Sequence, residues 1–91
     1  ASYPKLDWQP YSDEALAKAF DEKKPVILDF YADWCGACKE LEKYTFVDPR
    51  IQERSKDFVL LKVDATEPSE ALDVLKKRYN VMGLPTMVFF D

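Results

Sequence analysis

The 91-residue sequence has no histidine and only two cysteines. The first absence removes the side chain that most often serves as a general base near neutrality. Any proton transfer must then fall to a carboxylate, a thiol, a lysine or water. The second absence limits metal chemistry. Two thiols three residues apart do not complete a four-ligand zinc site without further soft ligands, so no metal site is expected. Long apolar runs are missing too: none approaches the roughly 20 residues that span a bilayer, and no membrane insertion of this segment is expected. An excess of basic charge is also lacking. Thirteen Lys and Arg face 17 Asp and Glu, for a net charge of −4. A nucleic-acid binder should carry a basic stripe; none is visible, and no nucleic-acid partner is expected. No signal-peptide pattern opens the chain, since Asp7 and Glu14 stand where apolar residues would be needed. A mature or excised segment starts the same way, so export stays open. Internal repeats and linkers are likewise missing.

What is present is globular in composition. Hydrophobic residues make up 47% and charged residues 33%, which argues against disorder. The length accommodates a single domain, residues 1–91, with a modest core and little surplus stability. Residues 1–11 read as an irregular N-terminal arm, with Pro4, Pro10, Tyr3, Trp8 and Tyr11. Ser12 has the character of an N-cap with Asp13 and Glu14 in the first turn. Leu16, Ala19 and Phe20 then form an apolar helix face that Lys23, Lys24 and Pro25 bring to an end. Val26–Tyr31 reads as a buried strand with one polar interruption, Asp29. After the cysteines a helical pattern places Leu41, Tyr44 and Phe46 on related faces. Asp48-Pro49 is an N-cap with proline at N1, opening a short helix to about Ser55. Phe58 to Val63 is a second strand, and Asp64 to Pro68 a turn. Ser69 caps a helix with the stripe Ala71, Leu72, Leu75 and Tyr79, whose end is flanked by Asn80 and Gly83. Thr86 to Phe90 is a third strand. The first two strands are expected to form a parallel βαβ unit. The last is strongly apolar and should want a neighbour on its free edge, so the sequence reads as cut short.

Chemistry concentrates in Asp33-Trp34-Cys35-Gly36-Ala37-Cys38-Lys39, between a buried strand and a helix. The spacing puts both Cβ atoms on one face of the first helical turn, close enough to bridge. The ring so closed is small and constrains the unfolded chain little; it is a poor staple and a good switch. A structural disulfide, half of a zinc site or chance would also give C-x-x-C. The strand-then-helix setting and the lack of further ligands favour redox chemistry. Cys35 belongs at the helix N-terminus, where unpaired N–H groups and the helix dipole lower a thiol pKa. It is the expected nucleophile. Cys38, one turn inside and better shielded, is the expected resolving thiol.

Asp29 lies six residues before Cys35. It is either a strand-end residue facing water or a buried carboxyl with a raised pKa beneath the cysteines, able to accept the proton of Cys38. Glu42, four residues after Cys38 on the same helix face, either shares that role or is a solvated helix glutamate. Leu84-Pro85-Thr86 begins the last strand, where proline belongs at the first position. A cis bond there would let Leu84 or Thr86 offer hydrogen bonds to an incoming chain; an ordinary trans bond is the commoner form of X–Pro.

Trp34-Cys35-Gly36-Ala37-Cys38-Lys39 together with Gly83-Leu84-Pro85-Thr86 resembles the thioredoxin superfamily. The run Tyr31-Ala32-Asp33-Trp34-Cys35, continued by Cys38-Lys39-Glu40-Leu41-Glu42-Lys43-Tyr44-Thr45-Phe46 and Asp48-Pro49, is more specific. It is similar to the C-terminal periplasmic thioredoxin-like domain of the DsbD family of bacterial transmembrane thiol:disulfide interchange proteins. The resemblance implies an α/β thioredoxin-like fold, with a central mixed sheet flanked by helices and stopping before the family's last strand and helix. It implies a protein-disulfide reductase that takes electrons from a membrane-embedded cysteine pair and passes them to another periplasmic domain of the same parent protein. No cofactor is implied beyond the Cys35–Cys38 disulfide, and the implied location is the periplasm, as a domain of an inner-membrane protein. Cys35 then matches the nucleophile and Cys38 the resolving thiol. Asp29 and Glu42 match the acidic residues that tune them, and Pro85 matches the superfamily's cis-proline. Trp34, Gly36, Ala37, Leu84, Pro85 and Thr86 form the expected substrate-binding rim. Gly36-Ala37 departs from the Gly-Pro of typical thioredoxins. The other functions to weigh are a free thioredoxin-like oxidase or isomerase, and a binding module that never turns over. With no sign of an oligomer interface, a monomer is expected.

Overall fold

A computed structural model describes residues 6–91 of the chain; the first five residues of the N-terminal arm, with Tyr3 and Pro4, lie outside the described residues. The elements run β1 (Gln9–Pro10), α1 (Asp13–Asp21), β2 (Val26–Tyr31), α2 (Gly36–Glu40) continued by a π-helical turn (Leu41–Thr45), α3 (Pro49–Ser55), β3 (Val59–Asp64), α4 (Glu70–Arg78) and β4 (Thr86–Phe90). The sheet order is β1-β3-β2-β4. β1, β3 and β2 are parallel and β4 is antiparallel to β2, which makes a mixed sheet flanked by helices. Asp29 stands opposite Lys62 of β3 and Met87 of β4.

Local chemistry sets the element ends. The Ser12 hydroxyl accepts the Ala15 N–H at 2.9 Å, and the Ser69 hydroxyl accepts that of Leu72 at 3.0 Å, each satisfying a donor that the helix leaves free. The Asp48 carboxylate accepts the Arg50 N–H at 2.8 Å, ahead of Pro49 in the first turn of α3. α4 closes through Asn80, which adopts a left-handed φ of 55° and lets the Val81 N–H reach Lys76 O at 2.8 Å. That is the usual way a helix ends without glycine.

Strand alternation sorts β2 onto two faces. Val26, Leu28 and Phe30 are fully buried with Leu61, Val63, Leu16, Ala19 and Leu72, so α1 and α4 cover this side. The rings of Phe30, Tyr79 and Phe90 continue it at centroid separations of 6.2 and 5.8 Å. Ile27 on the opposite face lines an apolar groove with Leu41, Phe46, Ile51, Met87 and Phe89, beneath the π turn and α3.

Four features differ from the sequence reading. Gln9–Pro10 is not irregular: it pairs with β3, and the Tyr11 N–H donates to Lys62 O at 2.8 Å. A two-residue edge strand carries too little periodicity to be read. The helix after the cysteines widens into a π turn, with the Phe46 N–H reaching Leu41 O at 2.8 Å. This buries Phe46 and leaves Tyr44 exposed, so the two do not share an apolar face. Ala71 is exposed, outside the stripe of α4. Phe20 is 47% exposed, although its ring meets Phe90 edge-on at 5.5 Å.

Candidate active site

Cys35 is the N-cap of α2 and is bonded to Cys38, with their Cα atoms 5.3 Å apart. Its sulfur accepts the Cys38 N–H at 3.1 Å. A sulfur capping a helix is held where helix-end N–H groups and the dipole stabilise negative charge. The two cysteines do not differ in burial as expected: Cys35 is 6% and Cys38 5% exposed. In the disulfide form their asymmetry lies in position on the helix, not in burial. Gly36 and Ala37 fill the first turn of α2 and are exposed.

Ala32 is buried with the cysteines, and Tyr31 and Leu84 pack against them. Leu84 thus carries the loop before β4 onto the disulfide. The Leu84–Pro85 peptide bond is cis, and the Thr86 hydroxyl donates to Gly83 O. Thr86 begins β4 opposite Phe30. Trp34 is 67% exposed, with its indole N–H donating to Thr66 O at 3.0 Å.

Asp29 lies on the face of β2 that also carries Tyr31, and it is 3% exposed. Its Oδ1 has no hydrogen-bond partner among the described residues. Burial pushes this carboxyl up from 3.8 to about 6; the Lys62 ammonium pulls it down and the Glu42 carboxylate pushes it up. Lys62 Nζ is 3.5 Å from Glu42 Oε1 and 4.5 Å from the centre of the Tyr31 ring. Glu42 is exposed and reaches toward the sheet through this ion pair. The strand-end reading of Asp29 is therefore overturned: the carboxyl is enclosed, and burial raises its pKa.

Together, Cys35, Cys38, Tyr31 and Leu84 form one cluster, and Asp29, Glu42 and Lys62 form a charged group linked to it through Tyr31, over whose ring the Lys62 ammonium lies. Lys62 was not singled out from sequence. Its signal was there: it is the one charged residue in Val59–Val63, as Asp29 is in Val26–Tyr31, and two opposite charges inside adjacent buried strands call for each other. Thr66 and Asp64, which hold the cysteine loop, gave no such signal, because polar residues in a turn are ordinary.

Residues 7–91 match a family model described as thioredoxin-like. The chain belongs to the thioredoxin-like family. Within it, this thioredoxin-like chain is 57% identical over 79 residues, 87% of its length, to the thiol:disulfide interchange protein DsbD of Cronobacter sakazakii. It spans only 13% of that relative's length. Among solved structures it is similar to the oxidised DsbD C-terminal domain of Neisseria meningitidis, at 33% identity and a TM-score of 0.68. That match covers 89% of this chain and 76% of the other. It is also similar to a thioredoxin from Thermus thermophilus, at 32% identity and a TM-score of 0.75, with coverages of 94% and 65%. Among the described residues no helix is long and apolar enough to cross a membrane.

Proposed function

We propose that this thioredoxin-like chain is a thiol–disulfide oxidoreductase working as a reductant relay. It would take electrons from a membrane-embedded cysteine pair and pass them to periplasmic thiol proteins, including another domain of its own parent protein. The observation that carries the exchange reading is the Cys35–Cys38 disulfide at the head of α2, with the Leu84–Pro85 loop packed on it. The relay and the periplasmic location are supported by the likeness to DsbD relatives.

In the reducing direction the Cys35 thiolate attacks one sulfur of a partner disulfide. An intermolecular S–S bond forms, and the other partner sulfur leaves as a thiolate that takes up a proton. Cys38 then loses its proton and attacks the Cys35 sulfur. The mixed disulfide breaks, the second partner thiol is released, and two electrons have passed to the partner at the expense of the Cys35–Cys38 dithiol. Asp29 is the acceptor for the Cys38 proton, through an intervening water. With a pKa of about 6 it is mostly ionised at neutrality yet basic enough to take a proton. Glu42 is the way out to solvent. Trp34, Gly36, Ala37, Leu84, Pro85 and Thr86 receive the partner chain. No cofactor beyond the disulfide enters these steps.

The test is the reduction potential of the Cys35–Cys38 couple, measured by equilibration in defined thiol–disulfide buffers. A relay reductase should lie near thioredoxin's roughly −270 mV. A value between roughly −180 and −120 mV would replace this reading with that of an oxidase or isomerase.

A further inference from the structure

The β3–α4 loop grips the segment before Cys35 through two adjacent residues, Ala65 and above all Thr66. The Thr66 hydroxyl oxygen accepts the Asp33 N–H at 2.9 Å, and the Thr66 carbonyl accepts the Trp34 indole N–H at 3.0 Å. Thr66 is itself fixed by Asp64, whose Oδ1 accepts both its N–H, at 2.9 Å, and its hydroxyl, at 2.5 Å. The hydroxyl therefore works in both senses, donating to Asp64 and accepting from Asp33. One residue back, the Ala65 N–H donates to Tyr31 O at 2.6 Å. Three of the four residues before Cys35 are thus tied to residues 65 and 66.

Trp34 makes the arrangement informative. Its side chain is 67% exposed, so core packing does not hold it. A free surface tryptophan loses rotamer freedom when a partner docks on it, and a ring already fixed avoids that loss. Exposed aromatics next to a reactive centre are also the side chains on which protein partners most often anchor. The indole N–H bond to the Thr66 carbonyl fixes the ring without burying it, and the Thr66 hydroxyl holds the Asp33 backbone beside it, which suits a surface presented to another protein.

We propose that Thr66 is a positioning residue for exchange with protein partners: the Asp64–Thr66 clamp presets Asp33 and the exposed Trp34 ring beside Cys35 before encounter. The proposal rests on the exchange reading above. A small disulfide does not need the ring, whereas a folded partner does. Thr66 therefore governs docking, not the chemistry of the sulfurs.

The experiment compares the wild-type 91-residue chain with Thr66→Val, Thr66→Ser and Trp34→Phe. Insulin serves as the protein disulfide and hydroxyethyl disulfide as the small one, with dithiothreitol as electron source. Valine keeps the shape of threonine and removes the hydroxyl; serine restores it; phenylalanine keeps a ring without the N–H. Thr66→Val removes both hydroxyl hydrogen bonds, to Asp64 and from Asp33, and should raise KM for insulin about 3- to 10-fold, at near-constant kcat. Its rate with hydroxyethyl disulfide should stay within about twofold of wild type, because that small disulfide does not need the ring. Thr66→Ser should restore the wild-type KM, and Trp34→Phe should raise it as Thr66→Val does. In a Trp8→Phe background, Thr66→Val should also make Trp34 fluorescence easier to quench with acrylamide. An unchanged KM for insulin, or a parallel fall with both disulfides, overturns the inference while leaving exchange standing. A wild-type chain that reduces neither disulfide overturns the exchange reading and the inference with it.

Discussion

The two faces of β2 are built from alternate residues of one six-residue strand, and they meet opposite demands. Val26, Leu28 and Phe30 are 0% exposed among the side chains of α1 and α4. All three residues that β2 turns to that face are apolar. The other face sets Asp29 at nearly the same depth, 3% exposed, with an Oδ1 that has no partner among the described residues. A carboxyl raised from 3.8 to about 6 corresponds to about 3 kcal/mol against the charged form. An apolar residue would avoid that penalty, so stability does not explain Asp29. One face of the strand holds the fold; the other, which also carries Tyr31 against the disulfide, tolerates a destabilising group.

Cutting into the closed face gives the largest expected effect. Phe30→Ala should destabilise the chain by about 3–5 kcal/mol, a large share of the roughly 5–14 kcal/mol available to a domain of this size. The urea midpoint should fall at constant m-value. Molecules that remain folded should keep the wild-type reduction potential. A shifted potential would mean that the two faces are not separable.

Asp29→Asn probes the other face and has a signed pH dependence. Because the folded carboxyl titrates above its unfolded value, the folded state binds more protons between pH 3.8 and about 6, and stability falls as pH rises through that window. Below it both states are protonated and the penalty vanishes; above it the penalty is complete. For the oxidised chain, Asp29→Asn should therefore gain about 2–3 kcal/mol relative to wild type on going from pH 4 to pH 7, the linkage equivalent of the shift. Urea unfolding at the two pH values measures this. The same variant should resolve a trapped Cys35 mixed disulfide at least about tenfold more slowly at neutral pH. A pH-independent difference in stability together with unchanged resolution would reduce Asp29 to a structural residue.

The closed face was the easier one to read. Val26–Tyr31 and Thr86–Phe90 are observed with the boundaries expected from their runs of strand formers, and Ser12, Asp48 and Ser69 cap the helices as expected. These signals are local: a cap acts within three residues and a strand declares itself in five or six. The cysteine pair was legible for the same reason. Thr66 was not, and Lys62 offered only its charge, because their partners lie 20 to 33 residues away and only strand register and loop approach bring them near. The π turn escaped too: it goes with a buried Phe46 whose ring meets Trp8, 5.7 Å between centroids, a contact that no periodicity announces. Burial of Asp29 was one of two readings until the strands on both sides of it were placed.

The smallest expected effects test whether Asp29 is governed by charge or merely by burial. Lys62 and Glu42 form a partly exposed ion pair at 3.5 Å, a type worth about 0–1 kcal/mol. Lys62→Met and Glu42→Gln should each change stability by less than about 1 kcal/mol. Their effects on Asp29 should nevertheless have opposite signs. Removing the ammonium takes away the one cation that pulls the carboxyl down, so its titration moves to higher pH. Removing the Glu42 charge takes away a repulsion that pushes it up, so its titration moves to lower pH. Carboxyl carbon chemical shifts followed by NMR report the two movements directly. Shifts in the same direction, or none, would leave burial as the sole cause. Glu42→Gln adds a kinetic reading. If Glu42 only passes the proton outward, resolution of a mixed disulfide should slow far less than in Asp29→Asn. Equal slowing would make Glu42 the acceptor and Asp29 its neighbour.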